Sequence, residues 1–121
     1  KPTDVHITEE TIMAGLSCGE VSQLGWQILS PGASDFLTLQ DDLVAPTMRL
    51  LADGGAGPVV VAGESAVAGL SGLIAACQDQ ALSDALGLDA ASHVLVIGTE
   101  GATDPAIYEE IVGRPAEEIA A

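Results

Sequence analysis

Two short polar runs carry residue types that could do chemistry, and each follows an apolar β-branched stretch. Gly63-Glu64-Ser65-Ala66-Val67 comes after Pro58-Val59-Val60-Val61-Ala62, and Gly98-Thr99-Glu100-Gly101 after His93-Val94-Leu95-Val96-Ile97. The first run approximates the sharp turn that exposes a nucleophilic serine, but the closing glycine of that pattern is Val67 here. His93 is the sole histidine downstream and no oxyanion loop is visible, so Ser65 reads as a first-turn helix residue instead. The second run lacks the G-x-G-x-x-G spacing of a dinucleotide loop, and no lysine follows any glycine-rich turn, which excludes a Walker loop. Thr99 and Glu100 could still serve a ligand, and Thr99 retains two readings. A hydroxyl at a strand's C-terminal end can hydrogen-bond a heteroaromatic nitrogen, or it can cap the turn. Glu64 also has two: it partners the dipole of the following helix, or it faces a pocket. His6 and His93 have no carboxylate at metal-ligand spacing. Cys18 and Cys77 make neither a metal site nor a disulfide framework, and are expected as free, buried apolar fillers. The acids Glu109-Glu110 and Glu117-Glu118 fall on solvent faces.

The elements that must position these runs alternate. Thr11–Gly19 is a glycine-rich loop, and apolar spacing from Glu20 to Ser30 predicts a helix that stops at Pro31-Gly32. Asp35–Leu39 has strand propensity, and Gln40-Asp41-Asp42 offers caps for a helix through Leu51. Pro46 inside that helix demands a kink or a restart at Ala45. Pro58–Ala62 and His93–Ile97 read as strands buried on both faces of a parallel sheet. Between them lie a small-residue helix, Ala66 to Cys77, and a second over Gln80–Leu86 with Gly87 as its left-handed cap. Asp104-Pro105 opens the last helix, which Gly113 closes after Val112. The order predicts one α/β unit over residues 1–121, a three-layer sandwich with a mostly parallel sheet. Three strands make a small sheet, so the unit is expected to be part of a larger domain. Ligands in such folds bind at strand C-termini, where both polar runs stand.

Composition narrows the function classes. The 121 residues carry 18 acidic and 3 basic side chains, a net charge of −15. A nucleic-acid backbone or an anionic membrane surface would be repelled. Hydrophobic residues make up 48%, enough for a core, yet no run is long and unbroken enough to span a bilayer. No secretory signal is visible, and with two cysteines the reading is cytoplasmic. The lone lysine is Lys1, so chemistry needing a buried lysine cannot be completed within these residues.

Three segments, in order, resemble one family. They are Thr11-Ile12-Met13-Ala14-Gly15-Leu16-Ser17-Cys18-Gly19-Glu20, Ala62-Gly63-Glu64-Ser65-Ala66-Val67-Ala68-Gly69-Leu70 and Ile97-Gly98-Thr99-Glu100-Gly101-Ala102-Thr103-Asp104. Together they look like the fold type II pyridoxal-phosphate enzymes of the tryptophan-synthase-β type, and within them the diaminopropionate ammonia-lyases. Tyr108 with Ile111-Val112-Gly113 resembles the family's C-terminal ending. The resemblance covers the C-terminal third or so of such an enzyme, part of its large domain. It implies pyridoxal 5′-phosphate as cofactor and α,β-elimination of 2,3-diaminopropionate, a small amino-acid substrate, to pyruvate and ammonia. It places Thr99 against the pyridine nitrogen, Gly15 as a backbone wall beside the ring, and Glu64 as a polar residue lining the same pocket. The Schiff-base lysine, phosphate loop and acidic catalytic residues of the family belong to upstream sequence. The implied partners are therefore the remainder of the enzyme and a second copy in a homodimer, with this chain inert alone. A serine/threonine dehydratase-like lyase, or a non-catalytic acidic α/β interaction module, are the competing expectations.

Overall fold

Helices of two to three turns, joined by long irregular stretches, dominate the computed structural model, which describes residues 2–119. A 3₁₀ turn at Ala14–Leu16 interrupts the glycine-rich loop. The first α-helix, α1, spans Gln23–Gly32. It ends at the Pro31-Gly32 pair, as its sequence predicts, with Pro31 inside the last turn, and Ser22 caps it by accepting from the Gly25 amide. It buries no residue. A 3₁₀ turn at Asp41–Leu43 leads into α2, Val44–Ala52. Pro46 is the third residue of α2, where its missing N–H would have had no intrahelical partner, so the break expected at Ala45 falls at Val44 and no kink is needed.

The small-residue helix α3 runs from Ala68 to Gln78, two residues later than its sequence suggested, because residues 64–67 form a turn first. Ser65 is therefore a turn residue and not part of the helix. Asp79 ends α3 and caps α4, Gln80–Leu86, accepting from the amides of Ala81 and Leu82. Asp104 does the same for α5, Pro105–Val112, through the amides of Ala106 and Ile107. Gly87 and Gly113 close these two helices at φ 65° and 83°, conformations that side chains with a Cβ resist. A last turn, α6, covers Ala116–Ile119.

The core lies where α2 meets α5. Val44, Met48 and Ala52 pack with Tyr108 and Ile111, joined by Val67 and Ile119. Tyr108 is fully buried, and this desolvation pushes its phenol above the ordinary tyrosine range, with the Arg114 guanidinium opposing the shift. Both arginines fasten this pair of helices. Arg49 donates from Nε to the Ile111 carbonyl at 2.7 Å, and Arg114 reaches Asp53 at 2.6 Å and the Ala52 carbonyl at 3.4 Å. Helix α3 joins through a buried polar link. Ser71 Oγ donates to Thr47 Oγ1 at 2.9 Å, and Thr47 donates to the Leu43 carbonyl at 2.8 Å.

Among the described residues no strand is formed, so the mostly parallel sheet and three-layer sandwich expected from residues 35–39, 58–62 and 93–97 are not part of the observed architecture. The physical reason is pairing: a β-branched stretch becomes a strand only between hydrogen-bonding neighbours. Here residues 93–97 lie over the start of α3, with a Cβ built on Gly69 only 3.7 Å from Val96, and none of their backbone groups is hydrogen-bonded among the described residues. Leu95 and Ile97 are 86% and 73% exposed, a level no interior strand shows.

Candidate functional site

Three backbone segments converge on one spot: residues 13–16, 63–65 and 98–101. The turn at 63–65 is the centre, since it is buried and carries the contacts to both others. Ser65 donates its amide to Glu100 Oε1 at 2.7 Å, the short distance of a charge-assisted bond. Its side-chain Oγ accepts from the Gly15 amide at 3.1 Å. Gly63 donates to the Glu100 carbonyl at 3.4 Å. The segments approach so closely that side chains are excluded: a Cβ on Gly63 would overlap the Gly101 carbonyl oxygen and stand 2.9 Å from Glu100 Oε1. A Cβ on Gly15 would stand 2.9 Å from Ser65 Oγ.

The residues singled out in the sequence fall around this junction. Gly15 is part of it, exposing bare backbone to solvent on its far side. Thr99 is exposed beside Glu100, and its hydroxyl makes no hydrogen bond among the described residues, so no turn-capping bond occupies it. Glu64 is 8% exposed and lies in the turn before α3, outside that helix's first turn. The sequence marks Glu100 as a residue that could serve a ligand and Ser65 as a first-turn helix residue; the structure bonds the two to each other and links Ser65 on to Gly15, and the local signal for it is a Gly-Glu-Ser run where the chain turns after an apolar stretch.

Other candidates disperse. Cys18 and Cys77 are free thiols, but at exposed positions rather than as the buried fillers expected, Cys77 because it falls on the outer face of the last turn of α3. No group of three metal-ligating side chains occurs among the described residues, and none of their helices is long and apolar enough to cross a membrane. An apolar groove of about 660 Å³ lies between α3 and residues 94–97, lined by Leu39, Leu73, Ala76, Val94 and Val96 among others. It lacks titratable groups and is a surface for apolar packing rather than for chemistry.

The junction thus brings together bare backbone at Gly15, a hydroxyl at Thr99 that is unengaged among the described residues, and the side chains of Glu64 and Glu100. No protein-family model matches the chain. Its sequence is similar to diaminopropionate ammonia-lyase, with 46% identity over 107 residues to the enzyme of Escherichia coli K12 and 42% over 113 residues to that of Salmonella typhimurium LT2. These matches cover 84% and 88% of this chain but 27% and 28% of those enzymes, so it spans about a quarter of their length. Solved structures agree. The crystal structure of the Escherichia coli enzyme in complex with D-serine matches at a TM-score of 0.74 and 44% identity, covering 82% of this chain and 26% of that one. The same enzyme in complex with an aminoacrylate-PLP azomethine reaction intermediate matches at 0.75 and 44%, covering 84% and 28%.

Proposed function

We propose that this chain is the C-terminal part of a pyridoxal-phosphate-dependent ammonia-lyase that converts 2,3-diaminopropionate to pyruvate and ammonia by α,β-elimination. The observation that carries the reading is the agreement of sequence and backbone with one enzyme, 42–46% identity with TM-scores of 0.74–0.75. The exposed side of the junction offers a face for a flat heteroaromatic cofactor. A Cβ on Gly15 would point inward at Ser65, so the glycine serves the close packing behind that face, while its exposed backbone and the Thr99 hydroxyl, unengaged among the described residues, border it. In this reading Thr99 hydrogen-bonds the pyridine nitrogen, Gly15 forms the wall beside the ring, and Glu64 lines the pocket from the turn before α3.

When bound, the cofactor supplies the electron sink for elimination. Thr99, a neutral partner, leaves the pyridine nitrogen unprotonated. Gly15 and the buried turn at 63–65 orient the ring and keep water from that side. The Schiff-base lysine and the phosphate cradle come from the remainder of the enzyme, since the one lysine here is Lys1 and the chain's acidity suits no phosphate. The remainder also supplies sheet neighbours for residues 35–39, 58–62 and 93–97, completing a mostly parallel three-layer sandwich as part of a larger domain. Its apolar surface covers Leu95, Ile97 and the groove over α3. A cytoplasmic homodimer is the assembled form, and this chain alone turns nothing over.

The test begins with the intact mass of the polypeptide as its source makes it, against the 12.2 kDa of this chain. A much larger mass, with borohydride fixing a pyridoxyl group on a lysine outside this sequence, supports the reading. A mass of 12.2 kDa refutes it. In the larger polypeptide, Thr99→Ala should weaken cofactor affinity roughly tenfold, the value of one good hydrogen bond in a desolvated site; unchanged affinity and turnover would remove Thr99 from its role.

A further inference from the structure

We propose that Glu100 is a positioning residue of this pocket, holding Thr99 and Gly15 in place through Ser65 without touching the cofactor itself; the inference rests on the function proposed above. Its side chain turns back from the Thr99 loop and accepts the Ser65 amide at 2.7 Å. The only other hydrogen bond from residues 98–101 to the body of the molecule, among those described, is the Glu100 carbonyl with Gly63, at the long end of the range at 3.4 Å. The carboxylate is thus the main fastening of the turn that presents Thr99. Ser65 passes the constraint on. Its backbone is fixed by Glu100 while its Oγ accepts from Gly15, so one side chain on the Thr99 turn sets the distance between hydroxyl and glycine wall. A carboxylate suits the post because it is an acceptor only and offers the Ser65 N–H a charged oxygen in a half-buried setting. Glu100 Oε2 lies 3.9 Å from where a Gly15 Cβ would stand, so the far side of the same carboxylate also bounds the glycine wall.

The test uses the complete polypeptide that carries this sequence. Glu100→Ala should speed amide hydrogen exchange at Gly15 and Ser65, weaken pyridoxal-phosphate binding roughly tenfold, and reduce the induced circular dichroism of the bound cofactor, which reports its orientation. Glu100→Gln keeps an acceptor oxygen at the same reach and should restore all three to within about threefold. Ser65→Ala cuts the second link alone: Gly15 should exchange faster while the urea midpoint stays near the parent. The proposal is overturned if Glu100→Ala leaves exchange at Gly15 unchanged, if Glu100→Gln is as impaired as Glu100→Ala, or if Ser65→Ala leaves Gly15 protected. Should the parent polypeptide bind no pyridoxal phosphate, the proposed function fails, while the exchange measurements still decide the link from Glu100 to Gly15.

Discussion

Adding a single methyl group at Gly63 should wedge the junction apart. A Cβ there would overlap the Gly101 carbonyl oxygen and stand 2.9 Å from Glu100 Oε1 and 3.1 Å from Glu100 Cγ. Ordinary contact needs about 3.4–4 Å, so the Glu100 atoms must retreat by about half an ångström and the backbone of 98–101 by more. Overpacking of this kind costs about 1–3 kcal/mol. The same retreat stretches the 2.7 Å bond between Glu100 and the Ser65 amide, which contributes about 1.5 kcal/mol as a hydrogen bond to a charged group. Gly63→Ala should therefore lower stability by about 3 kcal/mol, a large part of the roughly 5–15 kcal/mol that holds a domain folded. With an m-value of about 2 kcal/mol/M, the urea midpoint should fall by about 1.5 M. Gly101→Ala is the matched control. It adds the same methyl to the same junction, but nothing lies within 4 Å of it, so its midpoint should shift by less than about 0.3 M. If Gly63→Ala unfolds with Gly101→Ala rather than well before it, the close approach of these segments is not what holds them, and the reasoning about the site's rigidity is wrong.

Thr47→Val should destabilise by about 0.5–1.5 kcal/mol in the same assay, because it takes from the buried Ser71 hydroxyl its 2.9 Å acceptor and leaves it only the Leu43 carbonyl at 3.5 Å. Asp41 accepts from the Thr11 hydroxyl at 2.6 Å and the Ile12 amide at 2.8 Å, and these bonds, the hydroxyl's foremost, hold its carboxyl below the usual range. Its contribution is present above the unfolded-state value and lost as pH falls through the lower folded one; exchange at the Ile12 amide should rise across that acid window, and in Asp41→Asn should be fast and pH-insensitive beyond the intrinsic rate. Tyr108 moves the opposite way. Its raised folded value makes its contribution complete below the ordinary tyrosine range and lost as pH rises through the folded one, so phenolate absorbance should appear above pH about 10 and coincide with loss of helical circular dichroism.

The helix ends were written plainly in the sequence. Asp104-Pro105 and Gly113 bound α5 at both ends, and Gly87 closes α4, because caps depend on one or two local residues whose preferences tertiary packing does not override. Pro46 was misjudged by one residue: a proline is costly in a helix interior and harmless in its first turn, and the difference rests on where the 3₁₀ turn hands over. The strand readings depended on neighbours. Val94–Ile97 has the composition of an interior strand, but pairing is a property of at least two segments, and no ladder forms among the described residues. At the site, the Thr99 hydroxyl stands out from its place after an apolar run, with two readings open, whereas Gly15 is singled out by the resemblance alone. Their connection through Ser65 and Glu100 joins residues 35 and 50 apart in sequence, which no local pattern could have revealed.

The placement of the two arginines reaches beyond packing. Both guanidiniums sit at the seam of α2 and α5, so among the described residues no permanent cation stands near the turns at 63–65 and 98–101. These residues by themselves present an acidic face to a phosphorylated ligand, and the attraction that captures it must originate elsewhere. Such a field is screened over about 10 Å at 0.1 M salt. Moderate ionic strength should then hasten ligand entry on this side, the reverse of what a cation-lined mouth would show.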